Sequence, residues 1–209
     1  MKAGSIAAVR DLVNPIAGAR AVMDKTPHIM IAGEGADRFC AEQGLQRVTT
    51  PASWYRLPIG VEEIETKTDE LAHGTVGAVA MDREDRLAAA TSTGGLFGKR
   101  AGRIGDTPIV GSGTWADESV ALSCTGLGEY FILTNAAYDI AAQMKYADTP
   151  LKNAALRTLG HIEALGGDGG IIGRSAKGEM LAEYNSDCIK CASVMAGKAT
   201  RVSVFNANF

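Results

Sequence analysis

Residues 74–95 limit the possible folds of this chain more than any other stretch. Two runs of small and apolar residues, Thr75–Met81 and residues 87–91, flank a charged segment at residues 82–85. Apolar runs on either side of a short polar turn are typical of a β-hairpin. The sequence therefore predicts a hairpin in the middle of the chain, with helical patterns before and after it that suggest sheet layers with helices outside.

The first strand of this hairpin begins with Thr75, directly after Gly74. Glycine has no Cβ to shield its carbonyl from attack by the Thr75 hydroxyl. If this peptide bond breaks, Thr75 becomes an N-terminal residue whose hydroxyl is a nucleophile and whose α-amine is its base. An α-amine has a pKa of about 7.7–8.0, so it can accept a proton near neutrality, whereas a lysine at about 10.4 cannot. By itself, a Gly-Thr pair is far more often an ordinary strand start than a cleavage site.

Composition narrows the class of protein and of partner. The 209 residues are 46% hydrophobic and 22% charged, which predicts one soluble globular domain. A net charge of −3 without a long run of like charges disfavours a nucleic-acid or membrane partner and favours a small polar molecule. Because no apolar stretch approaches the roughly 18 residues of a membrane span and Arg10 interrupts any signal-peptide core, we expect a cytoplasmic protein.

The cysteines predict neither a metal site nor a redox site. Two of the four form a Cys-x-x-Cys pair, Cys188 and Cys191, which supplies only half the ligands of a structural zinc site. The other two, Cys40 and Cys124, stand alone. We therefore expect no bound metal.

Before the hairpin, the pattern predicts two helices and a strand. Asn14 followed by Pro15 is typical of a helix start, and this helix is expected to end near Lys25. Residues 28–32 form an apolar run that predicts a buried strand, followed by a helix over residues 37–43. Residues 49–73 lack any apolar periodicity, and a stretch of this length inside a domain is expected to be a linker or to have a function.

After the hairpin, seven glycines and several charges at residues 94–113 predict a loop that approaches a ligand. A strand over residues 120–125 is followed by the longest amphipathic pattern in the chain, which predicts one helix from Leu127 to about Met144. A further helix at residues 152–165 and a hairpin at residues 170–184 complete the predicted elements.

Four segments resemble the N-terminal-nucleophile hydrolases of the plant-type asparaginase and isoaspartyl peptidase family, which are threonine peptidases. They are GTVGAVAMD at residues 74–82, LAAATSTGG at 87–95, GRIGDTP at 102–108 and SCTGLGE at 123–129. The resemblance covers most of residues 2–185. It implies an α+β fold, namely a four-layer αββα sandwich, formed by a single domain over residues 1–209. Cleavage between Gly74 and Thr75 would divide that domain into residues 1–74, with the linker 49–73, and residues 75–209.

The resemblance also implies a role for each matching residue. Thr75 is the nucleophile and Thr93 orients it, while the Thr125 hydroxyl and the Gly126 N–H stabilise the oxyanion. The substrate-binding residues are Arg103 for the α-carboxylate, Asp106 for the α-amine, and Gly126 and Gly128 in the same pocket. Simpler interpretations stay open: Thr93 could serve only the following glycine turn, Thr125 could cap the next helix, and Arg103 with Asp106 could form a surface pair.

The implied activity is that of an autoprocessing threonine amidohydrolase that cleaves β-aspartyl dipeptides and L-asparagine without a cofactor, as a dimer of cleaved αβ units. Two alternatives remain: a glycosylasparaginase, and an inactive truncated homologue with a structural or interaction role. Three departures from the family pattern bear on this choice. By the resemblance, we expect the chain to lack an N-terminal section and with it a central strand, covering helices and a sodium-binding loop. We also expect one residue to be missing around residues 115–117 and the similarity to fade after Asn185.

Overall fold

The computed structural model describes residues 1–54 and 74–204, which form a mixed α+β structure of six helices and ten strands. The helices are α1 (Pro15–Lys25), α2 (Gly33–Glu42), α3 (Pro51–Trp54), α4 (Gly128–Thr134), α5 (Ala136–Ala147) and α6 (Leu151–Ala164). The strands are β1 (Ser5–Ala7), β2 (Met30–Ala32), β3 (Thr75–Met81), β4 (Leu87–Thr93), β5 (Thr114–Ala116), β6 (Val120–Gly126), β7 (Gly169–Ser175), β8 (Met180–Tyr184), β9 (Cys191–Ser193) and β10 (Arg201–Ser203). In these ranges, no helix has the length and apolarity needed to cross a membrane.

The chain divides into two compact units, Met1–Thr75 with Ser92–Ile104, and Val76–Thr91 with Gly105–Phe209. In the first unit, β1 and β2 pair in parallel, with Ser5 opposite Met30. Parallel strands need a long crossover connection, and α1 provides it. The helix packs closely on β1, since a Cβ on Gly18 would lie 2.6 Å from the Ile6 side chain. The predicted bounds of α1 are confirmed, although the side chain of its N-cap residue, Asn14, makes no capping hydrogen bond.

Two predictions for the first unit were wrong. The strand predicted as buried over residues 28–32 is shorter, and Met30 at its start is 40% exposed. The following helix begins at Gly33 rather than at residue 37. Gly33 has a φ of 61°, a left-handed conformation that glycine adopts without strain, so the chain turns from β2 straight into α2. Of the predicted linker 49–73, residues 51–54 form the helical turn α3, and residues 55–73 lie outside the described residues.

The second unit is built on the antiparallel sheet β5-β6-β7-β8. Alternate residues of β6 point to opposite faces, as in any strand. Val120, Leu122 and Cys124 enter a fully buried core with residues of α4, α5 and α6, such as Phe131 and Ile162. Ser123 points to the other face, toward the β3–β4 hairpin, where a Cβ on Gly77 would lie 2.2 Å from the Ser123 hydroxyl oxygen. The sheet therefore has helices on one face and the hairpin on the other.

The predicted β3–β4 hairpin is confirmed, and its turn is fixed by Asp82. The carboxylate of Asp82 accepts hydrogen bonds from the backbone N–H groups of Glu84 and Arg86, at 3.0 and 2.9 Å. The backbone hydrogen bond from Arg86 is the main cause that lowers the pKa of Asp82. Asp85 takes a left-handed φ of 58°, which an aspartate in a tight turn tolerates.

Other predictions for the second unit had mixed outcomes. The helix at residues 152–165 and the hairpin at residues 170–184 are confirmed as α6 and as β7–β8. The single helix predicted from Leu127 to Met144 was wrong, because Asn135 has a left-handed φ of 46° and separates α4 from α5. Strands β5, β9 and β10 were not predicted.

Candidate active site

In the first unit, Thr75 and Thr93 are joined by a hydrogen bond. The Thr75 hydroxyl donates to the Thr93 hydroxyl oxygen at 3.1 Å, and the Thr93 hydroxyl donates to the carbonyl oxygen of Gly74 at 3.2 Å. Thr93 also accepts a hydrogen bond from the backbone N–H of Gly95 at 2.9 Å. The Thr93 hydroxyl is thus hydrogen-bonded both to the glycine turn that follows it and to the Gly74–Thr75 junction.

This arrangement places a hydroxyl donor on the carbonyl that precedes Thr75. A hydrogen bond to a carbonyl oxygen becomes stronger as negative charge develops there during attack on the carbonyl carbon. The Thr75 hydroxyl, half-buried at the start of β3, is the adjacent nucleophile. The junction therefore has a nucleophile and a hydrogen-bond donor for the carbonyl oxygen, two of the groups that an acyl transfer at Gly74 needs.

The loop after Thr93 is held by Lys99, whose ammonium donates to the carbonyl of Gly94 at 2.8 Å. Gly95, at a φ of 79°, packs on the aliphatic part of the Lys99 side chain. Arg103 lies near the end of this loop in the first unit, and its side chain is half-buried. Its backbone N–H donates a hydrogen bond to the carbonyl oxygen of Arg100 at 3.0 Å, which closes a turn.

In the second unit, the structure brings Asp106 and Gly128 together. Asp106 is only 6% exposed, so it is not a residue of the protein surface. Gly128, the first residue of α4, faces it so closely that an added Cβ would lie 2.8 Å from a carboxylate oxygen of Asp106 and 2.9 Å from its backbone nitrogen. The absence of a side chain at residue 128 therefore leaves room for the Asp106 carboxylate.

Thr125 and Gly126 end β6, where they pair with Gly170 and Gly169 of β7. Gly126 has a φ of 148°, and a Cβ there would lie 2.3 Å from the carbonyl oxygen of Asp168, so only glycine fits. The interpretation of Thr125 as a helix cap was wrong, since Leu127 is the N-cap residue of α4.

Cys124, next to Thr125, is not a competing nucleophile. Burial, and secondarily the carboxylate of Asp106, raise the pKa of the Cys124 thiol well above its ordinary value. A neutral, buried thiol reacts poorly, because the thiolate is the reactive form.

Within residues 1–54 and 74–204, no group of three or more histidine, cysteine or acidic side chains could hold a metal ion. All four cysteines are free thiols. Cys188 and Cys191 are both half-buried, and burial raises the pKa of the Cys191 thiol.

Sequence reasoning missed a group of buried hydroxyls in the second unit. The Thr91 hydroxyl lies 2.7 Å from that of Ser123 and 2.5 Å from that of Thr114. No local signal indicated this group, because its three hydroxyls come from three separate strands, β4, β5 and β6.

Comparison with known proteins places these residues in a family. The asparaginase family model matches residues 1–57 and 55–204. The match extends well beyond Asn185, so the expectation that the similarity fades there was wrong.

Two bacterial relatives are both called isoaspartyl peptidase. The protein of Salmonella typhimurium is 41% identical over 220 residues, covering 98% of this chain and 70% of the relative. That of Escherichia coli is also 41% identical, covering 98% of this chain and 68% of the relative. The isoaspartyl peptidase/L-asparaginase of Bos taurus is 40% identical over 207 residues, covering 95% of this chain and 67% of the relative. The family match and these identities establish that the chain belongs to the asparaginase family.

Proposed function

We propose that this chain is a hydrolase that cleaves the side-chain amide of β-aspartyl dipeptides and of L-asparagine, with Thr75 as its nucleophile. The observation that carries the proposal is the hydrogen-bonded path from Thr75 through Thr93 to the Gly74 carbonyl. The names of the relatives, isoaspartyl peptidase and L-asparaginase, support the choice of substrate.

The first step is cleavage of the chain by itself. The Thr75 hydroxyl oxygen attacks the carbonyl carbon of Gly74 and loses its proton, while the Thr93 hydroxyl stabilises the developing charge on the carbonyl oxygen. The peptide nitrogen takes up a proton and the C–N bond breaks, which leaves Gly74 as an ester on Thr75. Water then hydrolyses the ester, releasing a carboxylate at Gly74 and a free hydroxyl and α-amine at Thr75.

The second step uses this new N-terminus on a substrate. The α-amine accepts the proton of the Thr75 hydroxyl as its oxygen attacks the side-chain carbonyl of the aspartyl unit. The protonated α-amine gives this proton to the leaving amine or ammonia, which departs as an aspartyl ester forms on Thr75. Water then hydrolyses that ester to aspartate and restores the Thr75 hydroxyl. We propose that the Thr125 hydroxyl and the Gly126 N–H are the two donors that stabilise the oxyanion. This chemistry requires no cofactor.

Substrate selection depends on the two free groups of the aspartyl unit. We assign the α-carboxylate to Arg103, since a guanidinium binds a carboxylate in a planar fork, and the α-amine to Asp106 beside Gly128. In an α-linked aspartyl peptide the α-carboxylate is part of the peptide bond, so it cannot pair with Arg103. If such a substrate covers the guanidinium without pairing with it, the site rejects that substrate by a factor of about 10³ or more.

The proposal extends to the fold and assembly of the protein. We infer that the helices and sheets belong to a four-layer αββα sandwich of one domain, cut into residues 1–74 and 75–209. We further propose that two cleaved αβ units form a dimer.

The test combines the mass of the protein with its choice of substrate. Wild type should appear as two pieces divided between Gly74 and Thr75, and should hydrolyse β-aspartyl-leucine but not α-aspartyl-leucine. Thr75→Ala should remain a single inactive chain, whereas Thr75→Ser, which keeps the hydroxyl, should still cleave. Cleavage of Thr75→Ala at this bond, or equal hydrolysis of both dipeptides by processed wild type, would contradict the proposal.

A further inference from the structure

Three hydroxyl groups meet between the hairpin and the sheet of the second unit. They belong to Thr91 of β4, Thr114 of β5 and Ser123 of β6. Thr91 is at the centre, 2.5 Å from the Thr114 hydroxyl and 2.7 Å from the Ser123 hydroxyl. Thr91 is 9% exposed and Ser123 is 3% exposed, so water cannot readily replace these contacts.

This cluster contacts both ends of the loop that follows Asp106. The Thr114 hydroxyl lies 3.3 Å from the carbonyl of Thr107, and the Thr91 hydroxyl lies 3.4 Å from the carbonyl of Gly113. A hydroxyl can donate one hydrogen bond and accept two. The Thr91 hydroxyl has three such partners, the Thr114 hydroxyl, the Ser123 hydroxyl and the Gly113 carbonyl. Loss of its hydroxyl would leave buried partners without their hydrogen bonds.

The loop of residues 107–113 is hydrogen-bonded to Asp106, so a movement of the loop also moves Asp106. The backbone carbonyl of Asp106 accepts hydrogen bonds from Ile109 at 2.8 Å and from Gly113 at 3.2 Å. Gly113 also packs on Asp106 so tightly that a Cβ there would lie 2.7 Å from the Asp106 carbonyl. A shift of Gly113 away from Thr91 therefore displaces Asp106 from its place beside Gly128.

We propose that Thr91 is a positioning residue, which holds the loop of Asp106 through Thr114, Ser123 and the Gly113 carbonyl and so sets the affinity of the site for the aspartyl α-amine. The inference rests on the proposed function, in which Asp106 binds that amine. Thr91 itself touches no reacting atom. Its effect is therefore on substrate binding rather than on the chemical step.

The test replaces Thr91 by valine, which has nearly the same shape but no hydroxyl. We expect the KM for β-aspartyl-leucine to rise about three- to tenfold, the effect of losing one buried hydrogen bond. Inhibition by L-aspartate should weaken by the same factor, while kcat stays within about twofold of wild type. Thr91→Ser, which keeps the hydroxyl, should restore both values.

These readouts separate positioning from a general loss of structure, because a misfolded fraction lowers the apparent kcat but leaves KM unchanged. If Thr91→Val raises neither KM nor the inhibition constant, or if Thr91→Ser fails to restore them, the inference is overturned. Should Thr91→Val fail to fold, Ser123→Ala removes a partner of Thr91 instead, and an unchanged KM in that variant has the same meaning. A processed wild type that does not hydrolyse β-aspartyl-leucine would instead overturn the proposed function, and this inference with it.

Discussion

Under the proposed function, the hydroxyl of Thr93 has a different role before and after cleavage of the chain. In the intact chain it accepts a hydrogen bond from Thr75 and donates one to the Gly74 carbonyl. In the proposed cleavage, that carbonyl becomes part of a carboxylate on a separate piece, and the Thr93 hydroxyl is released to act on the Thr75 hydroxyl. The intact arrangement therefore bears on processing, which can be measured before any substrate is added.

We predict that Thr93→Val slows self-cleavage by about 10²–10³, the usual effect of removing one donor to an oxyanion. Valine preserves the shape of threonine, so the loss is attributable to the hydroxyl. Thr93→Ser is the matched control and should cleave at close to the wild-type rate. The fraction of cleaved chain is followed by intact mass after synthesis, and equal rates for wild type and Thr93→Val would exclude Thr93 as the donor.

At the scale of elements, the start of α4 determines how much room Asp106 has. Helix α4 begins at Gly128, where an added Cβ would lie 2.9 Å from the backbone nitrogen of Asp106. Backbone atoms cannot move aside as the end of a flexible side chain can. The helix and the loop therefore fit together only with glycine at this position.

We predict that Gly128→Ala lowers the free energy of unfolding by about 1–3 kcal/mol, the usual cost of overpacking. Gly160→Ala is the control, because Gly160 lies within α6 and an added Cβ there meets no atom within 4 Å. Alanine is the better helix former, so this control should gain about 1 kcal/mol. Denaturant unfolding of both variants measures the difference, and Gly128→Ala with wild-type stability would contradict the contact with Asp106.

The elements that the sequence predicted are those with local signals. Helix α1 has a proline at its start, and the β3–β4 hairpin has apolar runs around a charged turn. The break at Asn135 was not predictable from a hydrophobic pattern that continues across it, and strands of three residues, such as β5, are too short to show alternation. The threonines, the charged residues and Gly128 of the candidate site were indicated by motif resemblance. The contact of Thr91 with Thr114 and Ser123 joins three separate strands and left no local signal.

On the scale of the whole molecule, the proposed cut does not follow the division into compact units. The first unit combines Met1–Thr75 with Ser92–Ile104. A cut before Thr75 places residues 1–74 in one piece and residues 92–104 in the other. One compact unit would then consist of two separate polypeptides.

Because the first unit would contain parts of both pieces, we predict that the two pieces stay together after cleavage. Each piece would expose apolar surface of the first unit if they separated, and burial of that surface favours association by about 25 cal/mol per Å². We expect processed wild type to elute in size-exclusion chromatography at the volume of the uncleaved Thr75→Ala variant. Mass spectrometry in denaturant should then resolve that single peak into residues 1–74 and 75–209 in equal amounts. If residues 1–74 elute separately under native conditions, the first unit does not persist once the Gly74–Thr75 bond is broken, and an enzyme that depends on both pieces could not be assembled from this chain.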